Sequence, residues 1–284
     1  MTFQYDSAFS RNLGLVTVAE QNILKSKKVA IAGVGGVGGL YAQTLARMGI
    51  EKFHLADMDV FELANFNRQV GARMNTIGQS KVEVIKQDIL AINPEADVTV
   101  FNDGVTEENL DAFLDDVDLY ADGLDFFVLD LRAKLFERCR EKGIFAITAG
   151  PIGLSTALLV FDPQGMAFEE YFQLCGRSDL DKAVRFLVGL SPKLRHRHHI
   201  VDMTYVDLMA QKGPSLAPAC MACAAVIGGE ALKILLNRGT INAAPWVKQF
   251  DMYENRYHKT YNLMGNRNPI NRLKIRIVRK MVNR

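Results

Sequence analysis

The chain has 284 residues, 34 Lys and Arg against 32 Asp and Glu, and a 49% hydrophobic composition. That is enough apolar material for one large α/β domain or two small ones. A formal charge of +2 argues against a general nucleic-acid binder, which carries a strongly basic domain. Residues 1–11 lack the apolar stretch of a signal peptide, and no apolar run approaches the ~20 residues of a membrane span. Four cysteines, Cys139, Cys175, Cys220 and Cys223, fit reduced thiols in the cytoplasm rather than a disulfide framework.

Residues 2–14 are polar and aromatic. Residues 17–26 are predicted helical, with Thr17 and Glu20 at capping-box spacing. A strand at 29–32 leads into Gly33-Val34-Gly35-Gly36-Val37-Gly38. A helix is expected at 40–48 and a second strand at 52–56, ending at Asp57-Met58-Asp59. Residues 60–78 read as loops and short turns. Helices follow at 80–92, 107–114 and 128–142, and strands at 98–101, 119–121 and 145–148. This alternation predicts an α/β fold, a Rossmann-like doubly wound, mostly parallel sheet with helices on both faces.

After residue 150 the pattern changes. A strand is expected at 156–161 and a turn at 162–165. Residues 166–217 read as irregular and hold Arg195-His196-Arg197-His198-His199. An apolar helix at 220–237 and a strand at 247–253 follow. From about Tyr257 the chain is a basic tail with Arg267, Arg272, Lys274, Arg276, Arg279, Lys280 and Arg284. The expected organisation is one domain over 1–255, with an N-terminal arm and helix at 1–28 and halves at 29–150 and 151–255, then the tail at 256–284.

Gly33, Gly35 and Gly38 satisfy G-x-G-x-x-G between a strand and a helix. The first glycine allows the tight turn, the second lets backbone approach phosphate, and the third lets helix pack on strand. Amides and the helix dipole then favour an anion, and Asp57 stands where an acidic residue would hold a ribose. The motif alone does not choose the nucleotide. Arg68, with Asn65 and Gln69 around it, and Lys81 at a helix start are cations suited to a reacting triphosphate. Asp125 follows a strand end and is suited to Mg²⁺.

Together, Gly-x-Gly-Gly-Val-Gly, Asp57-x-Asp59, Asn65-x-x-Arg68-Gln69, a helical Lys81 and a strand-end Asp125 resemble the E1-like adenylyltransferase superfamily. Its members include the ThiF, MoeB and HesA proteins, the tRNA-modifying TcdA proteins and the ubiquitin-activating enzymes. The resemblance covers residues 9–161, and the helix at 220–237 more loosely. It implies that Gly33, Gly35, Gly36 and Gly38 line an ATP loop and that Asp57, with Asp59 nearby, holds the ribose. It implies that Asn65, Arg68, Gln69 and Lys81 contact the phosphates. Asp125 would bind Mg²⁺ and be the residue most needed for reaction. Arg11 is similar to an arginine finger that reaches the γ-phosphate from the other subunit of a homodimer. Residues 151–255 would then carry the acceptor and the dimer contact.

The implied reaction is attack of a carboxylate on the α-phosphorus of ATP, with release of pyrophosphate. The acceptor would be the C-terminus of a ubiquitin-like sulfur carrier, with a small molecule or a modified nucleoside in tRNA as alternatives. The run Asn65–Gln69 is closer to the TcdA pattern. An NAD-binding oxidoreductase would explain the glycines and Asp57 but not Arg68, Lys81 and Asp125. A non-catalytic scaffold subunit would not need the full set of core residues.

The chain departs from the MoeB pattern in places. Only Cys220 and Cys223 have C-x-x-C spacing, which argues against a structural zinc and for two buried helical thiols. Cys175 lies where relatives carry a thioester or persulfide cysteine, and an ordinary thiol is the expected reading. His196, His198 and His199 among arginines read as a solvated loop, or as a lid over the acceptor. Phe126 stands where Asn is common after the aspartate.

Overall fold

The computed structural model describes residues 2–207, 210 and 213–282. It comprises two compact units, Met1–Leu124 with Ala224–Ile241, and Asp125–Cys223 with Asn242–Arg284. Of the basic tail, Arg284 lies outside the described residues.

The first unit holds strands β1 (Lys28–Ala32), β2 (Lys52–Ala56), β3 (Asp97–Phe101) and β4 (Leu119–Asp122), in the order β3-β2-β1-β4. All pairings are parallel, with Val29 opposite both Phe53 and Leu119. β1 and β4 are near-continuous buried runs, as parallel strands covered on both faces require. The chain runs outward from β1 to β2 and β3, then crosses to β4 on the other side of β1. That reversal makes the carboxyl ends of β1 and β4 a topological switch point, where open α/β sheets bind ligands.

Helices α1 (Tyr5–Ala8), α2 (Val18–Ser26), α3 (Gly38–Arg47), α4 (Lys81–Ile92) and α5 (Leu110–Phe113) belong to the same unit. α2 starts with the expected capping box: the Glu20 amide donates to Thr17 Oγ1 at 3.1 Å and the Thr17 amide to Glu20 Oε2 at 2.8 Å. α3 buries Tyr41, Ala42 and Leu45.

The second unit holds α6 (Leu129–Glu141), β5 (Phe145–Ile152), β6 (Ser155–Phe161), α7 (Phe168–Phe172), α8 (Asp179–Leu190), β7 (Trp246–Asp251), β8 (Arg256–Tyr261) and α10 (Pro269–Val282). Its strands run β5-β6-β7-β8, paired antiparallel throughout. α9 (Ala217–Leu235) passes from the second unit into the first. By length and composition α9 could cross a membrane, and half of its most apolar window is buried in the protein.

Four elements here differ from expectation. α7 and α8 lie inside the stretch read as irregular, and β8 and α10 replace the basic tail. β8 has no apolar alternation to announce it. Cross-strand rings hold it instead: Trp246 and Tyr261 at 4.9 Å, Phe250 and Tyr257 at 5.5 Å, with Lys259 Nζ 4.4 Å over the Trp246 ring. α10 is fixed by Ile275 and Val278 packed on Val184 and Val188 of α8. Asn271 also donates to Asn262 Oδ1 at 2.8 Å, and Asn262 to the Tyr171 hydroxyl at 2.8 Å.

Candidate active site

The glycine loop closes through backbone contacts that leave no room for side chains. The Gly33 amide donates to the Ala56 carbonyl at 2.7 Å, and Gly33 adopts φ +78°, a conformation that suits glycine. A Cβ on Gly33 would lie 2.4 Å from the Gly123 carbonyl oxygen, and one on Gly38 only 1.8 Å from that of Gly33. Gly33, Gly38 and Gly123 are thus an interlocked set joining the ends of β1 and β4 to the start of α3. Gly35 and Gly36 differ. A Cβ there would meet Gln69 Nε2 at 3.5 Å and Arg68 Cγ at 3.6 Å, ordinary contacts. The side chains of Arg68 and Gln69 therefore lie against the loop, more than thirty residues away in sequence.

Asp57 ties the end of β2 to that loop. Its Oδ2 accepts from the Val34 amide at 2.9 Å and its Oδ1 from the Asp59 amide at 3.0 Å. Burial pushes the Asp57 carboxyl up from its ordinary range, against the opposing pull of these bonds and of Lys81. Lys81 opens α4 and is buried. Its Nζ donates to Asp59 Oδ2 at 2.8 Å, and its amide to the Asp59 carbonyl at 3.0 Å. Asp59 is mostly exposed, so the pair stands at the surface. Asn65 Oδ1 accepts from the Glu62 amide at 3.0 Å and shapes the turn that presents Arg68. Arg68 donates to the Ala64 carbonyl at 3.2 Å and to Asn67 Oδ1 at 2.9 Å. Gln69 Oε1 is buried and accepts no hydrogen bond among the described residues. Such an orphan favours a ligand that brings a donor.

Asp125 opens the second unit, two residues after Gly123. Its side chain is exposed, and one oxygen accepts from the Phe127 amide at 3.0 Å. The Asp125 carbonyl accepts from Arg132 Nη2 at 3.0 Å, and the Arg132 guanidinium lies 4.7 Å from the Phe186 ring centre. Phe126 packs on Phe186 at 5.2 Å. Phe126, half-buried, is thus held by the buried Phe186 ring rather than turned toward Asp125 as a polar partner would be. Asp122, which the sequence did not single out, is buried at the end of β4 and accepts from the Leu124 amide at 3.3 Å.

Arg11 is exposed, and its neighbour Asn12 donates to the Met48 carbonyl at 3.4 Å. Met48 caps the far end of α3, which starts at the glycine loop.

The cysteines divide. Cys175 is exposed, whereas Cys220 and Cys223 are buried on α9. Cys223 Sγ lies 2.9 Å from Thr156 Oγ1, and burial pushes its thiol well up. The solvated reading of the histidines is overturned for two of the three. His196 is buried, with Nδ1 3.2 Å from Ser191 Oγ. Burial, and His199 beside it, lower its pKa to about 4. His199 Nδ1 accepts from the Leu154 amide at 3.2 Å, and its Nε2 lies 3.3 Å from Asp251 Oδ2. The partners of His199 come from the β5–β6 hairpin and from β7, far away in sequence, whereas Ser191 is five residues from His196. Only His198 is exposed.

The model of the ThiF family matches residues 9–271. The tRNA threonylcarbamoyladenosine dehydratase of Bacillus subtilis (strain 168) is 36% identical over 142 residues, 50% of this chain and 55% of that protein. The probable molybdopterin-synthase adenylyltransferase of Pyropia yezoensis is 35% identical over 159 residues, 55% of this chain and 42% of that one. The chain thus spans about half the length of the curated relatives it matches. Among solved structures, E. coli MccB with ATP superposes with TM-score 0.64 at 21% identity, over 87% of this chain and 67% of that one. E. coli TcdA superposes with TM-score 0.60 at 25% identity, over 82% of this chain and 95% of that one.

Proposed function

The chain belongs to the ThiF family, and from that premise we propose that it is an ATP-dependent adenylyltransferase that activates a carboxylate. The observation that carries this reading is the placement of Arg68 and Gln69 against Gly36 and Gly35. A dinucleotide loop has no need of an arginine there. A triphosphate does, because charge builds on it as pyrophosphate leaves.

The residues fit ATP. Backbone amides at the start of α3 suit its phosphates, and Arg68 and Lys81 supply positive charge. Asp57 suits the ribose through the same carboxylate that shapes the loop. Asp125 would hold Mg²⁺, whose charge would offset that of the departing pyrophosphate. The acceptor's carboxylate oxygen bonds to the α-phosphorus as the bond to pyrophosphate breaks, giving an acyl-adenylate. The protein contributes orientation and fixed charge rather than a covalent step. Lys81 would share its ammonium between Asp59 and the nucleotide. Arg11, which is exposed, would serve the site of a second copy in a homodimer.

ATP–pyrophosphate exchange across candidate acceptors tests the reaction. Asp125→Ala should abolish exchange while the protein stays folded, because the side chain is exposed. Exchange that survives this substitution overturns the mechanism.

The acceptor has two candidates. One is the C-terminus of a ubiquitin-like or sulfur-carrier protein, supported by similarity to the molybdopterin-synthase and ubiquitin-like modifier activating relatives. The other is a modified nucleoside in tRNA, supported by similarity to the tRNA threonylcarbamoyladenosine dehydratases. Exchange stimulated by a small protein ending in Gly-Gly, and not by tRNA, would favour the first.

A further inference from the structure

The last segment of the chain is set apart by charge. Residues 256–284 hold nine Lys and Arg and no Asp or Glu. With those nine set aside, the chain's 34 Lys and Arg and 32 Asp and Glu leave residues 1–255 at a formal −7. Such asymmetry within one chain points to an anionic partner for the basic part.

α10 gives this charge a shape. One side of the helix is committed to the fold, through Asn271, Ile275 and Val278. A second apolar stripe faces outward. Ile270, Leu273, Ile277 and Met281 are 63%, 56%, 49% and 65% exposed. Their helical angles fall within one quadrant, because spacings of three and four residues return to the same face. Arg276 and Lys280 border the stripe on one side and Lys274 on the other. Lys274 is committed to the fold, donating to the Pro192 carbonyl. Four large side chains exposed to this degree form an apolar patch on the order of 400 Å², the size at which monomer surfaces are commonly functional.

We propose that α10 is a docking helix for an anionic lipid bilayer. It would lie in the headgroup plane, with the outer stripe in the acyl boundary and the flanking cations on lipid phosphates. Charge complementarity selects this occupant, together with the chemistry of the stripe. Aliphatic and thioether side chains offer no stacking surface to the bases of RNA. Long exposed cations, Arg276 and Lys280, along one side of a straight apolar ridge suit a flat charged plane. The stripe is carried by a helix already packed on α8, so docking requires no folding of a free peptide. This inference is independent of the adenylation reading, since it concerns a surface with no nucleotide-binding residue.

The test is flotation of the full chain with vesicles of phosphatidylglycerol and phosphatidylcholine, and with vesicles of phosphatidylcholine alone. Binding is expected to the anionic vesicles and to fall steeply with salt. The double variant Leu273→Asp with Ile277→Asp should reduce partitioning at least ten-fold with an unchanged melting temperature. Arg276→Gln should weaken it by about five-fold, the expected share of one interfacial cation. Equal binding to both vesicle types, binding that survives the double variant, or binding to single-stranded RNA in place of vesicles would each overturn the proposal. So would a self-association of the wild type that the double variant abolishes. None of these outcomes depends on exchange activity, so failure here and failure of the proposed reaction are separable.

Discussion

The two units solve the same problem, placing polar groups inside a sheet protein, in opposite ways. In the first, polar chemistry stands at strand ends, where short runs of sequence build it: a glycine turn, an Asp two residues from its hydrogen-bond partner, a lysine at a helix start. In the second, polar side chains are buried in a network that joins the end of α8 to β6 and β7, segments far apart in sequence. His196 reaches Ser191, Ser191 lies 3.5 Å from Gln249, and Gln249 donates to Ser155 at 3.0 Å. His199 faces Asp251. Groups at strand ends are free to meet a ligand. Groups buried in a network are tied to one arrangement, because an unpaired member costs its full desolvation.

The sharpest break of this comparison lies in the glycine loop itself. Gly38→Ala forces a Cβ into the Gly33 carbonyl and should destabilise the protein by more than about 3 kcal/mol, read by urea denaturation. Gly36→Ala meets only van der Waals contact and should change stability by less than about 0.5 kcal/mol. Its effect would appear as weaker ATP binding in calorimetry. If both glycines tolerate alanine equally, the interlocked set is not what holds the loop.

His196 probes the second unit. Its lowered pKa of about 4, against an ordinary 6.5, means that the unfolded chain binds the extra proton between those values. Stability should be fully present above pH 6.5. It should fall by about 3 kcal/mol as pH drops to 4, then level off with respect to this group. Denaturation midpoints across that window, compared with His196→Gln, would show whether this histidine supplies the slope.

Arg68 separates site from fold. Arg68→Ala should lower the pyrophosphate-exchange rate about 10²-fold and leave the melting temperature within a degree or two, since its hydrogen bonds are exposed. The smallest effect is expected at Thr156→Val, which removes the hydroxyl 2.9 Å from Cys223. A loss of about 1 kcal/mol in thermal denaturation would mark this contact as an ordinary buried hydrogen bond. No change would mean that the thiol is indifferent to its partner.

Much of the first unit was legible because its signals are local. The capping box at Thr17 and Glu20, the G-x-G-x-x-G run and the buried β1 and β4 each depend on a few consecutive residues. Periodicity therefore placed these elements close to their observed bounds. The second unit was harder to read. α8 begins with Ser178-Asp179-Leu180-Asp181 and has an apolar face, yet it sits in a stretch dominated by charged and turn residues. β8 reads as a charged tail because its stabilising rings are paired across strands, and that pairing leaves no trace in the order of residues.

The sequence by itself determined the glycine loop, the acidic residue after β2 and the lysine at the start of α4, because a turn of glycines and a helix start are short-range objects. Only the tertiary structure decided that Arg68 and Gln69 lie on the loop, that Lys81 is paired with Asp59, and that His196 and His199 are buried. The loop contact, the ion pair and the partners of His199 depend on contacts between segments apart in the chain, and burial is a property of what packs on a residue rather than of the residue itself.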